Sequence, residues 1–307
     1  MSEGFPASLL LPADAFDIAH HQVMGRRVAG SGFAQGLCGH LQPGEQLTVL
    51  TGSRDCLPQL KTLLQPTLAD GARLRLVGRL DPEIIAEEGC LHLPDPGLHR
   101  WCWLRAGRPS TSFSLTGVTH TLCSHAVMQG LEHLVTAPLE EWDALVCTSH
   151  AARAVVSAAM EGMRERIARR FHQPLPALRA PQLPLIPLGL DPRPFQWEGR
   201  FQSRAEQRHQ AREALSLPQN AKVVLFVGRL SFHSKAHPMA LYRALERLSD
   251  RHPLVLVECG HLFNATIAEA FHQLKARFPK LKLLRLGGTT PATEEQKRLA
   301  LAAADLF

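Results

Sequence analysis

Two cations, Arg229 and Lys235, stand six residues apart just beyond the apolar run Val223-Val-Leu-Phe-Val227. Such a run reads as a buried strand, and open α/β sheets take their ligands outside the carboxyl ends of their strands. A guanidinium and an ammonium at that place suit a diphosphate, which both can neutralise. Gly228 lies between the run and Arg229. A glycine there predicts a sharp turn, with Arg229 leaving the strand at once and the backbone open to a ligand. His237-Pro238 then opens the next helix. The same spacing also fits an ordinary surface loop carrying basic residues.

His120 is a second candidate. It follows a β-like run and sits beside Gly117, Thr119 and Thr121. A neutral imidazole offers one donor and one acceptor, which serves sugar hydroxyls or a carbonyl. On its spacing alone it is equally a loop histidine satisfied by its neighbours. The third candidate is Met24-Gly-Arg-Arg-Val-Ala-Gly-Ser-Gly-Phe33. Its glycines predict a compact loop holding Gly25 and Arg26, with Ser31 capping a helix over 31–41. A helix start after a glycine loop is a ready anion site; the alternative is a plain turn. It is not a dinucleotide fingerprint, because Gln35 stands where the third glycine belongs. A nicotinamide dehydrogenase is therefore a remote reading.

Other constellations fall short. His233 and His237 have helical ligand spacing, but Pro238 disfavours a helix there and no acidic or cysteine cluster joins them. No metal is expected. No Asp-x-Asp occurs either. The stretch Met163-Arg-Glu-Arg-Ile-Ala-Arg-Arg170 is basic. It reads first as a solvated helix face and second as a peripheral contact with an acidic membrane surface.

These residues sit in a chain of 307 residues, long enough for two domains. Apolar residues make up 45% and charged residues 20%, the balance of a globular protein. The net charge is +6, which favours anionic ligands. One tyrosine and scattered basic residues offer no stacking platform for nucleic acid. Seven cysteines without a CxxC point to reduced thiols and a cytoplasmic protein. No apolar run is long enough to span a bilayer, and the first residues lack the pattern of a signal peptide.

Short β-like runs near 8–11, 47–50, 74–77, 90–93, 112–115 and 144–147 alternate with helical stretches. This predicts a largely parallel α/β sheet. Seven prolines between Pro174 and Pro194 exclude a long helix or central strand. They place a domain joint near Gly189. Three further strand–helix units follow, with strands near 223–227, 254–258 and 281–284. The predicted organisation is two Rossmann-like domains, 1–189 and 190–307, the second incomplete.

Several motifs, taken in order, resemble one family. Val223–Leu230 followed by Lys235 is similar to the second-domain start of nucleotide-sugar-dependent glycosyltransferases of the GT-B fold, family-4 type. Leu185-Ile-Pro-Leu-Gly-Leu-Asp-Pro-Arg-Pro-Phe195 resembles the interdomain signature of that family. Trp142–His150 resembles its last N-domain strand and helix start, and Leu115–Thr121 its donor-facing histidine loop. The resemblance implies transfer of a sugar from a nucleoside-diphosphate sugar to an acceptor hydroxyl, with retention and without a cofactor or required metal. It implies that Gly228, Arg229 and Lys235 grip the donor diphosphate and that His120 faces the donor sugar. Gly25 and Arg26 would belong to a loop closing over donor and acceptor, and the first domain would select the acceptor. The partner expected is a nucleotide sugar, not nucleic acid; a site at the inner membrane surface fits the basic helix.

The chain departs from the family in one respect. Two glutamates separated by seven residues, which complete donor recognition, are absent; Glu294 and Glu295 are adjacent and sit at a helix start. The expectation is a C-terminally truncated second domain whose first strand has an open edge. Two alternatives stay open: a non-catalytic nucleotide-binding remnant, and an epimerase or phosphorylase on the same plan.

Overall fold

The computed structural model describes residues 5–16, 25–192, 195, 203–232 and 235–307. His233 and Met24, named among the sequence candidates, lie outside them. The chain packs as two compact units, Met1–Leu190 and Asp191–Phe307.

The first unit runs β1 (Ser8–Leu10), α1 (Ala13–Phe16), α2 (Gly25–His40), β2 (Gln46–Leu50), α3 (Leu57–Leu64), β3 (Arg73–Val77), α4 (Pro82–Glu88), β4 (Cys90–His92), α5 (Leu98–Trp101), β5 (Ser114–Val118), α6 (His125–His133), β6 (Ala144–Val146) and α7 (His150–Phe171). All strand pairs are parallel, in the order β3-β2-β1-β4-β5-β6. The order reverses between β1 and β4. Successive side chains of a strand face opposite sides, and β1 shows it. Leu9 and Leu11 pack with Ala34, Cys38 and Leu60, whereas Leu10 packs with Leu91, Leu115 and Val156. Both faces are thus covered by helices, as a parallel sheet requires. The proline-rich segment binds the far edge: Leu145 N–H donates to the Gln182 carbonyl at 2.8 Å and Cys147 N–H to Pro184 at 2.8 Å. Prolines are tolerated there because only alternate donors face β6.

Two sequence expectations need correction here. The expected loop at 25–33 is not a loop. From Gly25 onward it is the first two turns of α2, and Ser31 is buried inside the helix rather than capping it. Glycine disfavours helix interiors, but tertiary packing overrides propensity. Any Cβ on Gly30 would overlap the Ala15 carbonyl, so the glycine lets α1 and α2 touch. The strand expected at 112–115 lies at Ser114–Val118, because Asp143 accepts the Leu115 N–H at 2.8 Å and starts the ladder there.

Asp143 is completely buried and centres a bracing network. Its carboxylate receives Arg105 Nη1 at 2.9 Å and Nη2 at 2.7 Å, and the Glu140 N–H at 2.9 Å. Arg105 also donates to the carbonyls of Phe113 and Pro138. Every charge is paired, which is what makes its burial tolerable.

The second unit runs α8 (Arg204–Ala214), β7 (Lys222–Leu230), α9 (Met239–Ser249), β8 (Leu254–Leu262), α10 (Ala265–Ala276), β9 (Leu283–Leu286) and α11 (Glu294–Ala303), with three parallel strands in the order β7-β8-β9. Side-chain caps from Ser203, Asn264 and Thr293 start α8, α10 and α11. Glu294 and Glu295 lie in the first turn of α11, where they favour the helix dipole. Glu258, buried on β8, is held by Arg285 at 2.8 Å and by the Tyr242 hydroxyl.

The expected open edge on β7 is closed at its start. Leu225 N–H donates to the Leu306 carbonyl at 2.9 Å and Leu306 N–H to Val223 at 3.2 Å. Asp305 secures this return. Its carboxylate takes the Val223 N–H at 2.8 Å and Arg212 Nη2 at 2.6 Å. From Phe226 on, nothing pairs β7 on that side among the described residues.

Candidate functional site

Gly228 and Arg229, two of the donor-binding candidates, lie at the carboxyl end of β7. The strand does not stop at Val227. Gly228, Arg229 and Leu230 stay paired to Gly260, His261 and Leu262 on β8, so Arg229 is a strand residue and the predicted sharp turn is absent. Gly228 has φ +145°, a region that side-chain-bearing residues avoid. Gly260 opposite has no room for a Cβ, which would overlap the Gly228 carbonyl. The two glycines let the strand ends stay paired at this close approach, and the pairing of Arg229 with His261 fixes its place in the strand. Arg229 is half-buried and Lys235 exposed. Neither has a hydrogen-bond or ion-pair partner among the described residues, in contrast with Arg105, Arg212 and Arg285, which all hold carboxylates. A half-buried guanidinium without a counterion is a ready anion ligand.

His261 extends this end of the sheet. It is buried and its Nε2 lies 3.2 Å from the Thr289 carbonyl, so Nε2 carries the proton. Leu262 N–H donates to Gly288 at 2.7 Å and Ala292 N–H to Gly260 at 3.2 Å. The loop after β9 is thereby laced to the end of β8.

In the first unit, two sequence candidates, Arg26 and His120, meet at the reversal between β1 and β4, the place where doubly wound sheets bind ligands. Arg26, in the first turn of α2, donates Nη1 to Asp14 at 2.7 Å and Nη2 to Asp95 at 2.8 Å. Asp95 follows β4 in Pro94-Asp-Pro-Gly97. Its other oxygen accepts the Gly97 N–H at 2.8 Å, which locks the turn. Its backbone carbonyl crosses to β5, where a Cβ on Gly117 would stand 2.6 Å away. Gly117 therefore seats the Asp95 turn against the strand that leads to His120.

His120 lies two residues past β5. Thr119 anchors it: its N–H donates to Val146 at 2.9 Å, and Thr148 Oγ1 donates to the Thr119 carbonyl at 2.8 Å. Burial pushes the His120 pKa below the ordinary imidazole value. The nearby Arg26 charge pushes the same way, and Asp95 opposes both. His120 Nδ1 is buried with no hydrogen-bond partner among the described residues. The ring is neutral at neutral pH, because a proton there would be an unpaired buried charge.

The structure thus brings Arg26 and His120 together in the first unit and puts Gly228 and Arg229 at one sheet end of the second, with Lys235 exposed five residues beyond the strand. Gly25 heads α2 with its Cα exposed and open space beside it. Asp95 and Asp14 were not singled out from the sequence. The available signal was the Pro-Asp-Pro-Gly turn directly after a strand. No group of three or more metal-ligating side chains occurs among the described residues.

No family model matches the chain, and no curated protein matches it. Solved structures do. HepE of Anabaena, in complex with UDP, superposes with a TM-score of 0.58 at 14% identity, over 97% of this chain and 72% of that one. The trehalose-6-phosphate phosphatase N-terminal domain of Candida albicans gives 0.55 at 11%, over 97% and 75%. A glycosyltransferase from Rickettsia africae gives 0.51 at 11%, over 99% and 72%. At these identities the likeness is one of fold, and the chain has the two-unit GT-B architecture that its motifs implied.

Proposed function

We propose that the chain is a nucleotide-sugar-dependent glycosyltransferase of family-4 type, moving a sugar from a nucleoside-diphosphate sugar to an acceptor hydroxyl with retention. The observation that carries this is Arg229: half-buried at the carboxyl end of β7, with no carboxylate beside it among the described residues. A diphosphate leaving group gathers negative charge as its bond to the sugar breaks, and fixed cations stabilise it most when they need no rearrangement. In this reading Arg229 and Lys235 do that work without a metal ion, and the missing side chain at Gly228 lets the phosphates approach. The binding of UDP by HepE, which shares the fold, supports the choice of donor. His120, held neutral, orients the sugar through a hydrogen bond. The first unit selects the acceptor.

For the basic helix α7 a peripheral contact with an acidic surface stays the second reading, after a solvated helix face. Arg166 pairs with Glu132 and Arg164 approaches Glu161, which leaves Arg153, Arg169 and Arg170 without an ion pair among the described residues. No helix among the described residues is long and apolar enough to cross a membrane.

Calorimetric titration of UDP into the full chain tests the donor site. Arg229→Ala should weaken binding by about 10–100-fold, the loss of one charge-assisted contact. Unchanged affinity removes the role given to Arg229. Incubation with a radiolabelled nucleotide sugar then separates transfer from binding alone.

A further inference from the structure

Arg26 reads from the sequence as a free cation beside a binding site, yet its guanidinium is already engaged on both sides. One nitrogen holds Asp14 at 2.7 Å and the other holds Asp95 at 2.8 Å. Asp14 is 59% exposed and Arg26 and Asp95 are each 26%, so the carboxylates share the accessible side of the cluster with the guanidinium. The third nitrogen, Nε, is buried. His120 contributes no charge, since its Nδ1 is buried without a partner among the described residues and Arg26 stands near it. Arg27, next along α2, is itself buried and engaged, so it offers no compensating cation to solvent. One positive and two negative charges leave the cluster with a net charge of −1. The start of α2 adds a partial positive charge at Gly25, and the exposed Arg100, whose Cδ lies near Gly97, adds a further cation on the side of the Asp95 turn.

We propose that the ligand taken at this β1/β4 reversal is a neutral, hydroxyl-bearing compound, and that Asp95 and Asp14 act as specificity residues that exclude phosphorylated or carboxylated ones. Two carboxylates beside one guanidinium repel a dianion that a free arginine would bind. They leave acceptor oxygens, which receive hydrogen bonds from hydroxyl groups. Asp95 has a second task as a positioning residue. Its side chain closes the turn through Gly97 N–H, and its carbonyl rests on Gly117, two residues before Thr119. This deepens the glycosyltransferase reading, on which it rests, by naming the chemical class of the acceptor.

The test uses inorganic phosphate as the probe and the His120 imidazole as the reporter. The full chain is labelled with nitrogen-15 histidine, and the His120 resonances are assigned by their loss in His120→Gln. Phosphate should cause no saturable shift in the wild type. The double variant Asp14→Asn, Asp95→Asn frees Arg26 and should bind phosphate tighter by about tenfold or more. Asp14→Asn alone, at an exposed position, should show part of that gain and keeps the test valid if the double variant does not fold. A saturable shift of the His120 resonances with phosphate in the wild type overturns the proposal. So does no gain in either variant, because the carboxylates would then not be what excludes the anion. In a transfer assay, a sugar phosphate that outperforms its unphosphorylated parent as acceptor also overturns it. UDP binding at Arg229 is read separately, so failure here leaves the donor assignment standing.

Discussion

Lowering the pH should weaken the first unit through His92. This residue lies on β4, with Nδ1 2.8 Å from Thr116 Oγ1 and its ring stacked on Phe33 at 4.8 Å. Burial pulls its pKa from 6.5 down to about 4. The unfolded chain therefore binds a proton at this residue that the folded chain refuses. Stability is unaffected by His92 above pH 6.5, declines as pH falls from there, and levels off below about 4. At 1.36 kcal/mol per pH unit the full penalty is about 3 kcal/mol, with most of it developed by about pH 4.5. His99, also drawn to about 4 by burial and then by Arg100 and His133, adds in the same direction. The assay is urea unfolding at about pH 7.5 and about pH 4.5, compared between wild type and His92→Gln. Glutamine does not titrate and can still meet Thr116. Trp101, Trp103 and Trp142 lie in the first unit, so tryptophan fluorescence reports chiefly on it. The wild type should lose about 2–3 kcal/mol more than the variant between the two conditions. Equal losses would refute the argument that the neutral ring is what the fold accommodates.

Two further substitutions probe the scaffold. Asp143→Ala strands the buried Arg105 and two backbone donors, and should cost about 3–5 kcal/mol in urea denaturation; a loss under about 1 kcal/mol would mean the network is not structural. Gly117→Ala forces the Asp95 turn away from β5. It should cost about 1–3 kcal/mol and shift the nitrogen-15 resonances of His120, whereas an unchanged His120 spectrum would show that Gly117 does not set its position.

The alternation of strands and helices was legible because it rests on local chemistry. Short leucine- and valine-rich runs bury on both faces of a parallel sheet, and Asp81, Ser149, Ser203, Asn264 and Thr293 cap helices where the pattern places their starts. The extent of the elements was not local. Arg229 remains in β7 because β8 continues beside it to Leu262, and nothing within the run itself announces that partner. The helix at Gly25 forms against glycine propensity because α1 packs on it. The return of Leu306 to β7 depends on Asp305 meeting Arg212, 93 residues away in sequence.

By itself the sequence determined the α/β class, the two-unit plan and the candidates Arg229, Lys235 and His120, since apolar period, prolines and residue type are properties of short stretches. Only the tertiary structure decided which charges are spent and which are available. Arg26 and Arg229 are the same residue type beside similar glycines. One is neutralised by carboxylates 12 and 69 residues away, and the other has none among the described residues. Electrostatic pairing acts through space over a few ångströms, so the chemistry of an arginine is settled by folding and not by its neighbours in the chain.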